Sequence, residues 1–183
     1  MLSAVIATRE SERSLVPTLS ALVPASASGL LAEVVIADAC STDSTAEIAD
    51  IAGCRFLSSS APLGVRLKAA AATTRTPWLL FLRAGLVPQP GWIAAADHFM
   101  QTASLSDRVA QAAVFGSPVS GFMEVIRIAL GGGPLPEQGL IISRRLYETL
   151  GGHSPEEVAE RKLLRSLGRR RTTLLPVSLS TIE

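Results

Sequence analysis

Apolar and polar positions come in blocks along most of the chain, in the rhythm of strand, loop and helix. Leu2 to Thr8 is a short run of small and β-branched residues, closed by the polar cluster Arg9-Glu10-Ser11-Glu12-Arg13, and it reads as a strand and its loop. Leu15, Leu19, Leu22 and Val23 then recur at helical spacing. A proline has no N–H to give a helix interior, so Pro17 is expected in the first turn and the helix is expected to end near Pro24. Past a small-residue loop, Glu33-Val34-Val35-Ile36-Ala37 is the continuous apolar run of a parallel strand buried on both faces. Asp38 falls at the carboxyl end of that strand.

Ser41, Thr42 and Asp43 offer capping oxygens to a helix from about Ser44 to Ile51, stopped by Gly53, with capping the expected job of Asp43. Cys54 to Leu57 predicts a third strand, Val65 to Thr74 a helix, and Trp78-Leu79-Leu80-Phe81-Leu82 a further buried strand. Pro88 to Trp92 reads as a turn, Ile93 to about Thr102 as a helix and Ala110 to Phe115 as an additional strand. The glycine-rich stretch from Gly116 to Gly139 is irregular, with a helical candidate at 122–130. Leu140 to Ser143 predicts a strand, Arg145 to Leu150 a helix stopped by Gly151-Gly152, Glu156 to Leu167 the last helix and Thr172 to Leu179 a closing strand. The βαβαβαβ order implies an α/β fold with a mostly parallel central sheet whose ligands bind beyond the carboxyl ends of the strands.

Composition narrows the function. The 183 residues, 48% of them hydrophobic, suffice for one core, so a single domain spanning 1–183 is expected. A net charge of +1 and 4% aromatics supply neither the phosphate-neutralising excess nor the stacking rings that nucleic-acid binding needs. Cys40 and Cys54 form no metal-spaced cluster, which points to a reduced, cytoplasmic setting. No apolar stretch approaches the roughly 20 residues of a membrane span, and no basic, long-apolar leader opens the chain. The expectation is a soluble protein.

Several motifs in order carry a resemblance. Ala4-Val5-Ile6-Ala7-Thr8, then Val34-Val35-Ile36-Ala37-Asp38 running into Ser41-Thr42-Asp43-Ser44-Thr45, resemble the opening strand and nucleotide-binding turn of family-two glycosyltransferases. Trp78 to Leu82 followed by Pro90-Gly91-Trp92 is similar to the strand and helix around that family's metal motif. Glu137-Gln138-Gly139, Arg144-Arg145-Leu146-Tyr147 and Leu150-Gly151-Gly152-His153 resemble its acceptor-side segment. The resemblance implies a GT-A-like, Rossmann-like fold with a small antiparallel addition, a nucleotide-binding half at 1–105 and an acceptor-side half at 106–183. It also implies inverting transfer of a sugar from a nucleoside diphosphate donor to an unknown acceptor. Asp38 would hydrogen-bond the nucleotide, joined by Thr8, Glu10, Arg66 and Lys68, with Glu137, Gln138 and His153 facing the acceptor.

This chain departs from the pattern where chemistry is decided. The family implies Mg²⁺ or Mn²⁺ held by a carboxylate motif, but the corresponding turn reads Arg83-Ala84-Gly85, and hard cations need oxygen ligands. Where the family has an acidic pair with its general base, Ala159-Glu160-Arg161-Lys162 leaves only Glu160, or nearby Glu157, to act. Ala7 and Glu10 replace a common proline and asparagine. Two readings follow: Arg83, with Arg66 and Lys68, stands in for the metal while Glu160 serves as base; or the site is catalytically impaired and the chain is a nucleotide- or partner-binding module. An unrelated doubly wound domain is a third reading, which the lack of a Walker A or Gly-x-Gly-x-x-Gly loop disfavours. An antiparallel strand pair between residues 110 and 145 would separate it from the first two. The basic stretch Arg161-Lys162, Arg165 and Arg169-Arg170-Arg171 fits a solvated helix face, with an anionic acceptor or weak peripheral membrane contact as the alternatives.

Overall fold

A computed structural model describes residues 1–105, 110–116, 135–168 and 171–182. The first half alternates as expected: β1 (Leu2–Thr8), α1 (Glu12–Ala27), β2 (Leu31–Asp38), α2 (Thr45–Ile51), β3 (Arg55–Ser58), α3 (Leu63–Ala72) and β4 (Trp78–Arg83). There follow β5 (Leu86–Pro88), α4 (Trp92–Leu105), β6 (Ala112–Gly116), a 3-10 turn (Pro136–Gln138), β7 (Leu140–Ser143), α5 (Arg144–Thr149), α6 (Ala159–Leu167) and β8 (Thr172–Thr181). The helical candidate at 122–130 lies outside the described residues.

The described strands form one mixed sheet in the order β3-β2-β1-β4-β7-β6-β8-β5. β1 is parallel to β2 and β4, and β2 to β3. β7 runs antiparallel to β4, and β6 antiparallel to β7 through Ala112 opposite Ile142 and Ala113 opposite Ile141. The sheet therefore contains the antiparallel pair expected between residues 110 and 145. β8 lies parallel to β6, and β5 antiparallel to β8.

Side chains alternate across the pleat and build a core on each face. Leu2, Ala4, Ile6, Leu80 and Leu82 pack on one side with Leu15 and Leu22 of α1 and Trp92 and Phe99 of α4. On the other side Val5, Val35, Leu79 and Phe81 meet Leu67 of α3 and Leu163 and Leu164 of α6. A fully buried Leu or Ile of this kind contributes on the order of 2 kcal/mol.

Several boundaries differ from the expectation. α1 contains both Pro17 and Pro24 in its interior, because Leu15, Thr18, Leu22 and Ala25 lock one side of it against the sheet and packing outweighs the missing N–H groups. α6 starts at Ala159 rather than Glu156, the preceding residues forming turns. β8 continues to Thr181 because its end pairs with β5, Leu86 opposite Thr181. β5 itself was hidden in the sequence, being short and ending on a proline that only an edge strand tolerates.

Candidate functional site

The carboxyl ends of β1, β2, β3 and β4 lie side by side, and the polar residues there hold one another. Asp38 is fully buried. Its Oδ1 accepts from the hydroxyls of Thr8 at 2.8 Å and Ser41 at 2.6 Å, and its Oδ2 from the Ser41 N–H at 2.8 Å and the Ser58 hydroxyl at 3.2 Å. Burial pushes the Asp38 carboxyl up, but these hydrogen bonds outweigh it and hold the group below its ordinary value. One carboxylate thus ties together the ends of three strands. Ser58 was not singled out from the sequence, although Ser58-Ser59-Ser60 at a strand end is the signal that marks it.

The adjoining loops are strained and cross-braced. Glu10 and Cys40 have φ of 48° and 57°, a region that L-residues rarely occupy. The Glu10 N–H donates to Ser41 Oγ at 2.8 Å, and its carboxylate accepts from the Thr42 N–H at 3.0 Å. Asp43 caps two helices at once: it accepts from the Thr45 N–H at the start of α2 and from the Glu12 N–H at the start of α1. Burial raises its pKa, and bonds from Thr45 and Glu12 more than reverse that.

Arg66 reaches from α3 beneath the same strand ends, donating from Nη1 to Ala37 O at 2.6 Å and from Nε to Ala61 O at 3.1 Å, with a longer contact to Thr8 O. Thr8, Glu10, Asp38 and Arg66 are therefore brought together. Lys68, two residues further on, is exposed on α3, because two helical steps rotate it away from Arg66's face.

The two residues expected to carry the chemistry meet each other. Arg83, ending β4, donates from Nε to both Glu160 oxygens at 3.0 and 3.3 Å and from Nη2 to Oε2. The side chain of Glu160, in the first turn of α6, is 12% exposed and that of Arg83 42%. Glu157 is engaged elsewhere, its Oε1 accepting from the Leu63 N–H at the start of α3. Nothing in the sequence paired residues so distant in the chain.

On the expected acceptor side, side chains turn inward. Gln138 is buried, bonding Phe115 O and the Leu135 N–H. His153 is 2% exposed, its Nδ1 lies 2.9 Å from the Tyr147 hydroxyl, and its ring meets the Phe81 ring edge-on. Burial pushes His153 down to about 4 and Tyr147 up to about 12. The side chain of Glu137 lies outside the described residues, as do Arg169 and Arg170 of the basic stretch. A cavity of about 450 Å³ between α1 and β2 lies at the opposite end of the strands, near Leu31 and Gly53.

Among the described residues no three His, Cys, Asp or Glu side chains stand together as candidate metal ligands. The motif turn offers a guanidinium, which repels a dication.

The profile of glycosyl transferase family 2 matches residues 3–153, a span that takes in the carboxyl ends of β1 to β4. The chain belongs to that family. Glu160 lies beyond the matched residues. Crystal structures of glucosyl-3-phosphoglycerate synthase from Mycobacterium tuberculosis share the fold. One, in complex with Mn²⁺, UDP and glucosyl-3-phosphoglycerate, has a TM-score of 0.73 at 18% identity over 100% of this chain and 72% of that chain. Another, with Mg²⁺ and UDP, has a TM-score of 0.75 at 20% identity and the same coverage. A third holds Mn²⁺, UDP-glucose and phosphoglyceric acid, with a TM-score of 0.74 at 19% identity, again over 100% and 72% of the two chains. This family-2 member therefore has the GT-A fold. No curated protein matches it in sequence. Among the described residues no helix is long and apolar enough to cross a membrane.

Proposed function

We propose that this chain transfers a sugar from a nucleoside diphosphate donor to an acceptor hydroxyl without a divalent cation, with Arg83 in the place of the metal and Glu160 in that of the base. The observation that supports the reading is the Arg83–Glu160 pair at the end of β4, a fixed cation and a carboxylate at the edge of a family-2 fold. Family membership supports the reaction class, and the UDP and UDP-glucose bound by the structural neighbours support the class of donor.

In this reading the acceptor oxygen bonds to the anomeric carbon as its proton passes to the Glu160 carboxylate. The bond from the anomeric carbon to the phosphate oxygen breaks, and its electron pair leaves on the diphosphate. Arg83 balances that developing charge, a role in which an oriented guanidinium is well suited. Thr8, Glu10, Asp38, Arg66 and Lys68 belong to the nucleotide half, 1–105. Glu137, Gln138 and His153 belong to the acceptor half, 106–183, Gln138 and His153 shaping its wall.

A panel of nucleotide-sugars assayed with chelator and with Mn²⁺ tests the proposal. Turnover is expected to be unchanged by chelator and lowered about 10²–10⁴-fold by Glu160→Gln, the usual worth of a general base. Turnover that requires Mn²⁺ would refute the metal-free mechanism. The second reading, a nucleotide- or partner-binding module, is favoured by one fact: the oxygens of both Asp38 and Glu160 are engaged by protein groups. Donor binding with no turnover on any acceptor would select it.

A further inference from the structure

The helix that carries Arg66 does not cap its own start. α3 follows Pro62, whose side chain has nothing to offer a backbone N–H. The first N–H groups of a helix have no acceptor within it and must find one elsewhere. Here two of them find it in a single turn that lies 94 residues further along the chain: the Leu63 N–H donates to Glu157 Oε1 at 3.2 Å, and the Gly64 N–H to Glu156 O at 3.1 Å. The carboxylate also places a negative group at the positive end of the α3 dipole.

That turn runs straight into α6, whose Glu160 carboxylate meets Arg83 Nε at 3.0 Å. The two helices so joined are anchored unequally. α3 has independent ties, since the Arg66 guanidinium donates to Ala37 O and Ala61 O and the side chains of Leu67, Ala70 and Ala71 are buried. α6 is buried farther along, through Leu163, Leu164 and Leu167. At its start, residues 155–158 are exposed and Ala159 alone is buried, against Gly64 of α3. The place of Glu160 is therefore set through the first turn of α3.

We infer that Glu157 is a positioning residue for the transfer: its carboxylate ties the start of α6 to the start of α3 and so fixes where Glu160 presents its oxygens. The inference rests on the role proposed above for Glu160, and it separates the two acids that the sequence left as candidates for the base. Glu160 takes the proton, and Glu157 holds Glu160 in place. What Glu157 supplies is an acceptor oxygen at a set reach, so the length of the side chain matters more than its charge.

The test compares turnover and UDP affinity in the wild-type chain, Glu157→Ala, Glu157→Gln and Glu157→Asp. Glu157→Ala removes the acceptor and is expected to lower kcat about 10- to 10²-fold, the effect of displacing a reacting group by a fraction of an ångström to 1 Å. UDP affinity should stay near the wild-type value, because Arg66 keeps its carbonyl partners. Glu157→Gln, of the same length and still an acceptor, should return kcat close to wild type. Glu157→Asp keeps the charge but is one methylene short, and should fall with Glu157→Ala. A merely structural role would lower the melting temperature of Glu157→Ala and leave kcat of the folded protein unchanged, which overturns the inference. Glu157→Gln as inactive as Glu157→Ala overturns it too, since that is the behaviour of a base. Should Glu157→Ala misfold, the other two decide: Glu157→Gln more active than Glu157→Asp supports positioning, and any other order overturns it. No turnover by the wild-type chain on any donor and acceptor overturns the proposed transfer, and the inference with it.

Discussion

His153 is a side chain that the motif order assigned to the acceptor side and that the fold encloses. With its ring between Tyr147 and Phe81, burial lowers its pKa from 6.5 to about 4. The folded value lies below the unfolded one, so between them the unfolded chain binds more protons. The associated stability is fully present above pH 6.5 and drains away as pH falls toward 4, a loss on the order of 3 kcal/mol. Urea midpoints should therefore fall between pH 6.5 and 5, where ordinary carboxylates stay ionised, and His153→Gln should flatten that slope. Cys40 gives a prediction of the opposite sign. It is exposed and held at φ 57°, so Cys40→Gly removes left-handed strain at little loss of burial and should stabilise the chain by about 0.5–1 kcal/mol in denaturant titrations. Glu10 is strained too, but its carboxylate bonds the Thr42 N–H, and the same substitution there should bring no gain. Asp38 was legible as a strand-end carboxylate. Thr8 was placed in the same site by the resemblance, but its bond to Asp38 was not legible and Ser58 was not singled out, because both arrive from strands whose alignment only the folded sheet fixes. The same is true of Arg83 and Glu160, each recognisable alone as a departure from the family pattern and neither as the other's partner.

Elements were legible where one pattern dominated. The continuous apolar runs of β1, β2 and β4 could be read directly, since strands buried on both faces carry little polar alternation, whereas β3 is a short edge strand with Arg55 and Ser58 exposed. Boundaries failed where an element's end is set by another element. α3 is the clearest example: its first N–H groups are satisfied from the 154–158 turns, Leu63 by the Glu157 carboxylate and Gly64 by Glu156 O. That junction is very close. A Cβ on Gly64 would stand 1.7 Å from Ser154 O and 2.6 Å from Ala159 Cβ. Backbone and a core alanine cannot swing aside, so Gly64→Ala must push α3 and α6 apart. Thermal unfolding should show a loss of at least about 2 kcal/mol, with Glu160 displaced from Arg83 as a by-product.

At the scale of the whole molecule, neighbours in sequence are neighbours in the sheet only as far as β3, and β4 crosses back to the far side of β1. Beyond it the sheet reverses, β7 and β6 adding antiparallel before β8 returns alongside β6 and picks up β5. Such pairings join segments whose neighbours are decided by the sheet edge available to them, and local periodicity carries no record of that choice. The same topology brings the two ends of the described chain to opposite poles. Met1 is exposed where β1 begins, whereas Ile182 is bonded to Gly85 at the carboxyl edge. A fluorophore or purification handle fused after Ile182 would emerge beside the turn that carries Arg83, able to obstruct a ligand or to report its arrival. One placed ahead of Met1 would sit at the far pole and leave that turn alone.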